Sequence, residues 1–448
     1  MAQVSVDFLF WTDACNMRVL GSFVVAVTAV TIPLRRLPRP SGWVNAIIAA
    51  QQGETQEMVN DHNMCFFGTI SVGTPAQNFT VLFDTGSEMF WIPSTKCDNS
   101  CRFHRKFDPT KSSSFTPGHS RAHLSYGTGR VEFDVARDDF SIGNIRVPNQ
   151  TVGLASKTDN HFATSTFDGI FGLDFKHSTL LAVDGLIDAK VLPANFFAFY
   201  LPLDALESGE ISFGELNQQR YTGEFTWAPL RPGASHRWTV DLLAVEVCDG
   251  DRCKPVAQCS VEQPCAALID SGTTLLTAPK QELAAIQSSV RVNPSCENLP
   301  NQNLRFVFGG KDEPVAVELT PDQYIEKDTQ SPGLCALSWM PLAFHENKKP
   351  LYILGDTMMR HFYTVFDADN YRIGMARCVV SLDAGLRFLH PCHAVYYGAL
   401  ISEQFTPVVL RQFARTVFWL LRPSLLHSPV AVVCNFGEWF CVHAVKKK

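Results

Sequence analysis

Two stretches decide the reading of this chain: VLFDTGS, Val81 to Ser87, and ALIDSGT, Ala267 to Thr273. Each is an apolar run that ends in Asp, a hydroxyl residue and Gly, the pattern of a strand delivering a carboxylate into a tight turn. By average residue usage, Asp followed by Ser or Thr and then Gly should occur about 0.2 times in a chain of 448 residues. It occurs twice. One copy alone reads as an ordinary turn, but these two sit in matched frames. Ile170-Phe171-Gly172 ends 88 residues after Asp84, and Ile353-Leu354-Gly355 ends 85 residues after Asp270, so the body reads as a duplicated lobe.

The residue types fit one chemistry. Two carboxyls held close together can activate a water as base and protonate a leaving nitrogen as acid. Like charges in contact cannot both ionise, so such a pair shares one proton and titrates as a unit. Gly86 and Gly272 let the backbone turn sharply beside its partner. The Thr85 and Ser271 hydroxyls can bond across to the opposite loop, and Ser87 and Thr273 can each donate to a carboxylate.

Composition narrows the class. With 46% hydrophobic and 18% charged residues there is apolar material for a large core or two lobes. The net charge is -6 and no strong basic patch is visible, which argues against a nucleic-acid binder. Among 14 cysteines, Cys97/Cys101, Cys248/Cys253 and Cys259/Cys265 are closely paired. Their gaps of three, four and five residues, with no histidine pair nearby, suit disulfides in an oxidising compartment better than zinc. No metal and no cofactor are expected. Met17-Arg18 followed by VLGSFVVAVTAVTI looks like a secretory signal too short for a comfortable span.

The zones follow. Residues 1–34 read as a signal peptide or signal anchor, with Met17 as an alternative start. Residues 35–61 read as a short propeptide or linker. Residues 62–240 and 241–378 are the two halves of a β-rich body, and 379–448 are a C-terminal extension of different character. Gln281 to Val290, after Pro279, is the clearest helical signal. Asn78 and Asn149 lie in glycosylation sequons.

From Phe66 to Ala376 the chain resembles the pepsin and cathepsin D family of aspartic endopeptidases, with a texture similar to its plasmepsin-type members. The resemblance is carried by FFGTISVGTPAQNFTVLFDTGSEMFWIPS, FDPTKSSSF, SYGTGR, FDGIFGLDF, CAALIDSGTTLLTAP and ILGDTMMRHFYTVFDADNYRIGMA. It implies a mostly β, bilobal fold with the cleft between two pseudo-symmetric lobes. It implies Asp84 and Asp270 as the catalytic pair, Tyr126 as the flap tyrosine and Trp91 as its hydrogen-bond partner. Gly127 and Thr128 would offer backbone groups to an extended substrate, with Gly86, Gly272, Thr273 and Thr274 completing the binding set. Phe162, Phe167 and Ile170 would line pockets for bulky apolar side chains. Thr85, Ser87 and Ser271 would support the pair. The resemblance also implies the disulfides Cys97–Cys101, Cys259–Cys265 and Cys296–Cys335, with Cys248–Cys253 as an additional hairpin bridge. Cys65 and Cys378 are left as either a bridge or two free thiols.

The expected partners are protein or peptide substrates, with no nucleic acid, for a monomer. Membrane association is open through the N-terminal segment or the tail. The location is the secretory pathway, either secreted or in an acidic lysosome-like vacuole. Two departures stand out. The family's zymogens carry a basic propeptide lysine, whereas the first lysine here is Lys96, leaving Arg35, Arg36 or Arg39 for that role. The chain also continues about 70 residues past the usual end. The alternative function is a catalytically inactive binding or inhibitor protein of the same fold, which would usually lack an Asp, a motif glycine or the flap tyrosine.

Overall fold

The structure, a computed structural model, describes residues 29–36, 43–52, 66–126, 129–175, 186, 192–203, 207–233, 237–328, 333–342, 345–346, 349–382, 386–388, 430–435 and 440–445. Residues Met1–Cys378 and Val379–Lys448 form two compact units. No described helix is long and apolar enough to cross a membrane.

The first half contributes β1 (Val30–Arg36), β2 (Phe66–Val72), β3 (Gln77–Asp84), β4 (Trp91–Pro93), β5 (Arg121–Ser125), β6 (Arg130–Ile142), β7 (Ile145–Thr158) and β8 (Gly169–Gly172). A connecting group follows: β9 (Phe196–Tyr200), β10 (Gly209–Phe213) and β11 (Tyr221–Pro229). The second half holds β12 (Thr239–Asp249), β13 (Arg252–Pro255), β14 (Cys265–Ile269), β15 (Leu276–Pro279), β16 (Asn303–Phe308), β17 (Val315–Leu319), β18 (Ile325–Lys327), β19 (Cys335–Leu337), β20 (Trp339–Leu342), β21 (His345–Glu346) and β22 (Lys349–Leu354). The body closes with β23 (Phe362–Asp367) and β24 (Arg372–Cys378).

Apart from β18 and β19, which pair with each other, these strands make two large sheets. One runs β11-β24-β23-β9-β10-β1-β2-β3-β8-β4-β7-β6-β5. The other runs β17-β16-β12-β14-β22-β15-β20, with β13 on β12 and β21 on β22. The mostly β, two-lobed expectation therefore holds. The repeat is also real in space. β3 pairs in parallel with β8, setting Asp84 opposite Gly172, and β14 pairs in parallel with β22, setting Ile269 opposite Leu354. The boundary at 240/241 falls just inside β12, but β23 and β24 from the second half pair with β9 and β11.

The N-terminal zones contribute structure of their own. The 34/35 boundary cuts through β1, which sits between β10 and β2. Val30, Ile32 and Leu34 are buried while their neighbours alternate outward. That period-2 pattern merges in sequence with the preceding apolar run, so it reads as part of a signal. Within the zone read as a short propeptide or linker, residues 43–52 form helix α1 (Trp43–Gln52). Its Trp43, Val44 and Ile47 pack on Leu275, Ala336 and Met340. Gln51 Nε2 donates to the carbonyls of Leu337 and Trp339, both at 2.8 Å. The expected helix appears at Lys280–Ser289. Both sequon asparagines are exposed, though Asn149 lies within β7 at positive φ rather than in a free turn.

All four expected disulfides are present: Cys97–Cys101, Cys248–Cys253, Cys259–Cys265 and Cys296–Cys335. Glu246 lies beside Cys248 and Cys253, but both thiols of that trio are consumed by the bridge. Cys378 is buried and free, and Cys65 lies outside the described residues. In the second unit the described residues form two antiparallel hairpins, Val380–Leu382 with Leu386–Phe388 and Val430–Asn435 with Phe440–Val445.

Candidate active site

Strands β3 and β14 end in the two Asp turns, and hydrogen bonds between the turns fix them face to face. Thr85 Oγ1 donates to the Ile269 carbonyl at 2.9 Å and accepts from the Ser271 N–H at 2.9 Å. Reciprocally, Ser271 Oγ donates to the Phe83 carbonyl at 2.7 Å and accepts from the Thr85 N–H at 3.1 Å. Both hydroxyl residues are buried. Each motif thus satisfies the buried backbone of the other, where an unpaired group would be costly.

The carboxylates are held in the same symmetric way. Asp84 Oδ1 accepts from the Gly86 N–H at 2.9 Å and Asp270 Oδ1 from the Gly272 N–H at 2.8 Å. Ser87 Oγ donates to Asp84 Oδ2, and Thr273 Oγ1 donates to Asp270 Oδ2 at 2.7 Å. A Cβ on Gly86 would stand 2.5 Å from Asp270 Oδ1, and one on Gly272 would collide with Asp84. Glycine is required at both positions because the opposite carboxyl occupies that space. Burial, and then the charge of Asp270, pushes the Asp84 carboxyl up to about 8, against the opposing bonds from Ser87 and Gly86. The pair therefore retains a proton under acidic and neutral conditions. Thr274 is buried, and its carbonyl accepts from the Thr357 N–H at 2.9 Å.

Above the pair, β5 and β6 form a hairpin with Ser125 opposite Arg130. Tyr126 N donates to the Gly129 carbonyl at 2.7 Å. Trp91 Nε1 donates to Tyr126 Oη at 2.9 Å. Phe162 meets both rings edge-on, at 5.3 Å from Tyr126 and 5.4 Å from Trp91. Phe162, Phe167 and Ile170 are buried in one cluster with Trp91, against which Tyr126 packs. Gly127 and Thr128 lie outside the described residues.

Two further acids lie beneath the pair and were not picked out from the sequence. Asp174 N–H donates to the Ser87 carbonyl at 3.0 Å, and Asp356 N–H donates to the Thr273 carbonyl at 2.8 Å. They occupy corresponding places under the two turns. Burial raises Asp174 to about 7, opposed by the Phe175 N–H and Arg237. Burial holds Asp356 well above the usual carboxylate range, opposed by Arg360 and Arg36. Sequence alone offers no signal for them, because a residue two or one positions past an apolar-apolar-Gly strand is usually a loop residue. On the N-terminal side, Arg36 Nη1 donates to the Leu203 carbonyl at 3.1 Å and its guanidinium lies 5.9 Å from the Phe66 ring. Arg39 lies outside the described residues.

Comparisons with known proteins find relatives across the body of the chain. The model of the eukaryotic aspartyl protease family matches residues 65–378. The chain is 33% identical to cathepsin D of Gallus gallus over 335 residues, covering 70% of this chain and 81% of that protein. It is 32% identical to chymosin of Camelus dromedarius over 329 residues, covering 70% and 81%. It is 34% identical to napsin-A of Mus musculus over 339 residues, covering 70% and 78%. The twin Asp turns lie within this matched region, and the chain belongs to the eukaryotic aspartyl protease family.

Proposed function

We propose that this chain hydrolyses peptide bonds through a water held between Asp84 and Asp270. The observation that carries the reading is the reciprocal bonding of Thr85 and Ser271, which brings the two carboxyls together across the duplicated turns. One carboxylate takes a proton from the water as it attacks the scissile carbonyl. The protonated partner supplies a hydrogen bond to the developing oxyanion, and the pair then delivers a proton to the leaving nitrogen. Tyr126 closes over the substrate, with Trp91 fixing its ring. Gly127 and Thr128 offer backbone groups, so an extended peptide is held largely by strand addition. The apolar wall of Phe162, Phe167 and Ile170 favours bulky apolar side chains beside the cut. Gly86, Gly272, Thr273 and Thr274 line the floor.

In this reading β1 and α1 belong to an N-terminal segment that occupies the body before use, with Arg36, whose charge acts on Asp356, as its cation. The four disulfides and the apolar segment before β1 support the secretory pathway, either secreted or in an acidic vacuole. The chain acts as a monomer on protein or peptide substrates.

The test is cleavage of an internally quenched peptide with paired apolar residues across acidic and neutral pH. It is run with and without pepstatin and alongside Asp84→Asn. Cleavage that pepstatin blocks and the substitution abolishes is expected. Full activity in Asp84→Asn would sink the mechanism, and no cleavage of any apolar library would favour a binding protein of the same fold.

A further inference from the structure

The acidic chain conceals a local concentration of positive charge. Residues 96–106, KCDNSCRFHRK, carry Lys96, Arg102, Arg105 and Lys106 against one acid, Asp98. The sequence shows these as a short run. The fold adds Lys157, because the Asp98 N–H donates to the Ser156 carbonyl at 3.1 Å and the Thr158 N–H donates to Ser100 Oγ at 2.9 Å. The loop is thereby laid along the end of β7 and is closed on itself by Cys97–Cys101. Lys106 is tied down, donating to the Cys97 carbonyl at 3.0 Å. Asp98 is occupied in accepting from the Ser100 N–H at 2.8 Å. Lys96, Arg102, Arg105 and Lys157 are exposed.

In the middle of this charge stands Phe103, 70% exposed, the most exposed large apolar side chain among the described residues. The Arg102 guanidinium lies 4.4 Å from its ring centroid. An aromatic ring left in water on a disulfide-closed loop, with a guanidinium against it, is prepared to contact something. The loop also reaches the active-site wall. His104 Nε2 lies 2.8 Å from the Phe162 carbonyl, and Phe162 is the ring that packs on both Tyr126 and Trp91.

We propose that the loop Lys96–Lys106, with Lys157, is a docking surface for an acidic segment of a protein substrate whose scissile bond lies in the cleft. The proposal rests on the endopeptidase reading of that cleft. Charge complementarity specifies the partner, and continuity with the Phe162 wall favours a partner already held at the site. A carboxylate-bearing segment there acts as a second attachment point. It raises the effective concentration of the cleavable segment without altering the chemistry.

The experiment uses the full chain and two quenched peptides that share one apolar cleavage core. The second peptide carries an added acidic stretch with one aromatic residue. The variants are Lys96→Glu/Arg102→Glu/Lys157→Glu and, separately, Phe103→Ser. Wild type should cleave the extended peptide about tenfold more efficiently through KM, with the advantage shrinking as salt rises. Both variants should lose that advantage while cleaving the short peptide as wild type does. An unchanged ratio of the two peptides in the charge-reversed variant overturns the proposal. So does binding of the wild type to anionic phosphatidylserine vesicles with no effect of the acidic extension. Binding of the acidic peptide alone is read in parallel by fluorescence anisotropy. If no peptide is cleaved even after acid incubation that displaces the N-terminal segment, the endopeptidase reading fails, and the binding arm still upholds or overturns the docking surface.

Discussion

At the scale of single residues, the second motif differs from the first by one methyl group, Ser271 against Thr85, yet the hydroxyl is the working part. Ser271 Oγ both donates to Phe83 and accepts from Thr85. Ser271→Thr should therefore keep activity. Ser271→Ala leaves the buried Thr85 N–H without its acceptor and should cost about 1–3 kcal/mol in urea unfolding, with lower kcat. Asp84→Asn should lower kcat by at least about a thousandfold without loss of folding, read by circular dichroism beside the assay. The raised acids set a pH dependence. Asp84 near 8 and Asp174 near 7 both stand above the ordinary 3.8. In the folded chain they hold protons that the unfolded chain has released. Their contribution is full below the ordinary value and is lost as pH rises toward 8. The melting temperature should fall between about pH 4 and pH 8, and Asp174→Asn should flatten that fall. A melting temperature that rises over the interval would contradict the assignment. The dyad residues were legible because their chemistry demands a repeated local pattern. Asp174 and Asp356 were not, because their significance comes entirely from what the fold stacks above them.

At the scale of elements, the strand that passes beneath each turn matters as much as the turn. Gly172 lies opposite Asp84, and a Cβ there would stand 2.6 Å from Met89 N and 2.7 Å from the Ser87 carbonyl. Gly172→Ala should push the first Asp turn off its partner. Loss of most activity with a smaller loss of stability is the expected result, measured as kcat beside thermal melting. The corresponding Gly355 meets the Thr273 and Leu275 carbonyls. The β3 and β8 segments and the β14 and β22 segments could be picked out as a repeat from their spacing, though not their pairing. β1 and α1 could not. β1 has seven residues, and its alternation is hidden beside a longer apolar run. In α1, WVNAIIAAQQ, apolar residues run almost unbroken instead of at helical spacing, so no periodic stripe marks the face on which Trp43, Val44 and Ile47 are buried.

At the scale of the whole molecule, disulfides fasten local loops and one longer excursion. Cys296–Cys335 joins residues 39 apart. Replacing both with serine should cost about 2–4 kcal/mol, seen as a lower unfolding midpoint that reducing agent does not lower further at that bridge. The two-lobed plan was readable from the duplication. The assignment of strands to sheets was not, because pairing partners far apart in sequence leave no local mark. The large sheet shows what this means in the cell. β11 ends at Pro229 and its sheet neighbour β24 begins at Arg372, while β9 waits for β23. A ribosome adding about 5–20 residues per second needs on the order of ten seconds to cross that gap. Throughout that interval the nascent first half carries strand edges whose partners do not yet exist. The chain should therefore depend on chaperones during translocation, and fragments that stop short of β23 should aggregate rather than persist as half-enzymes.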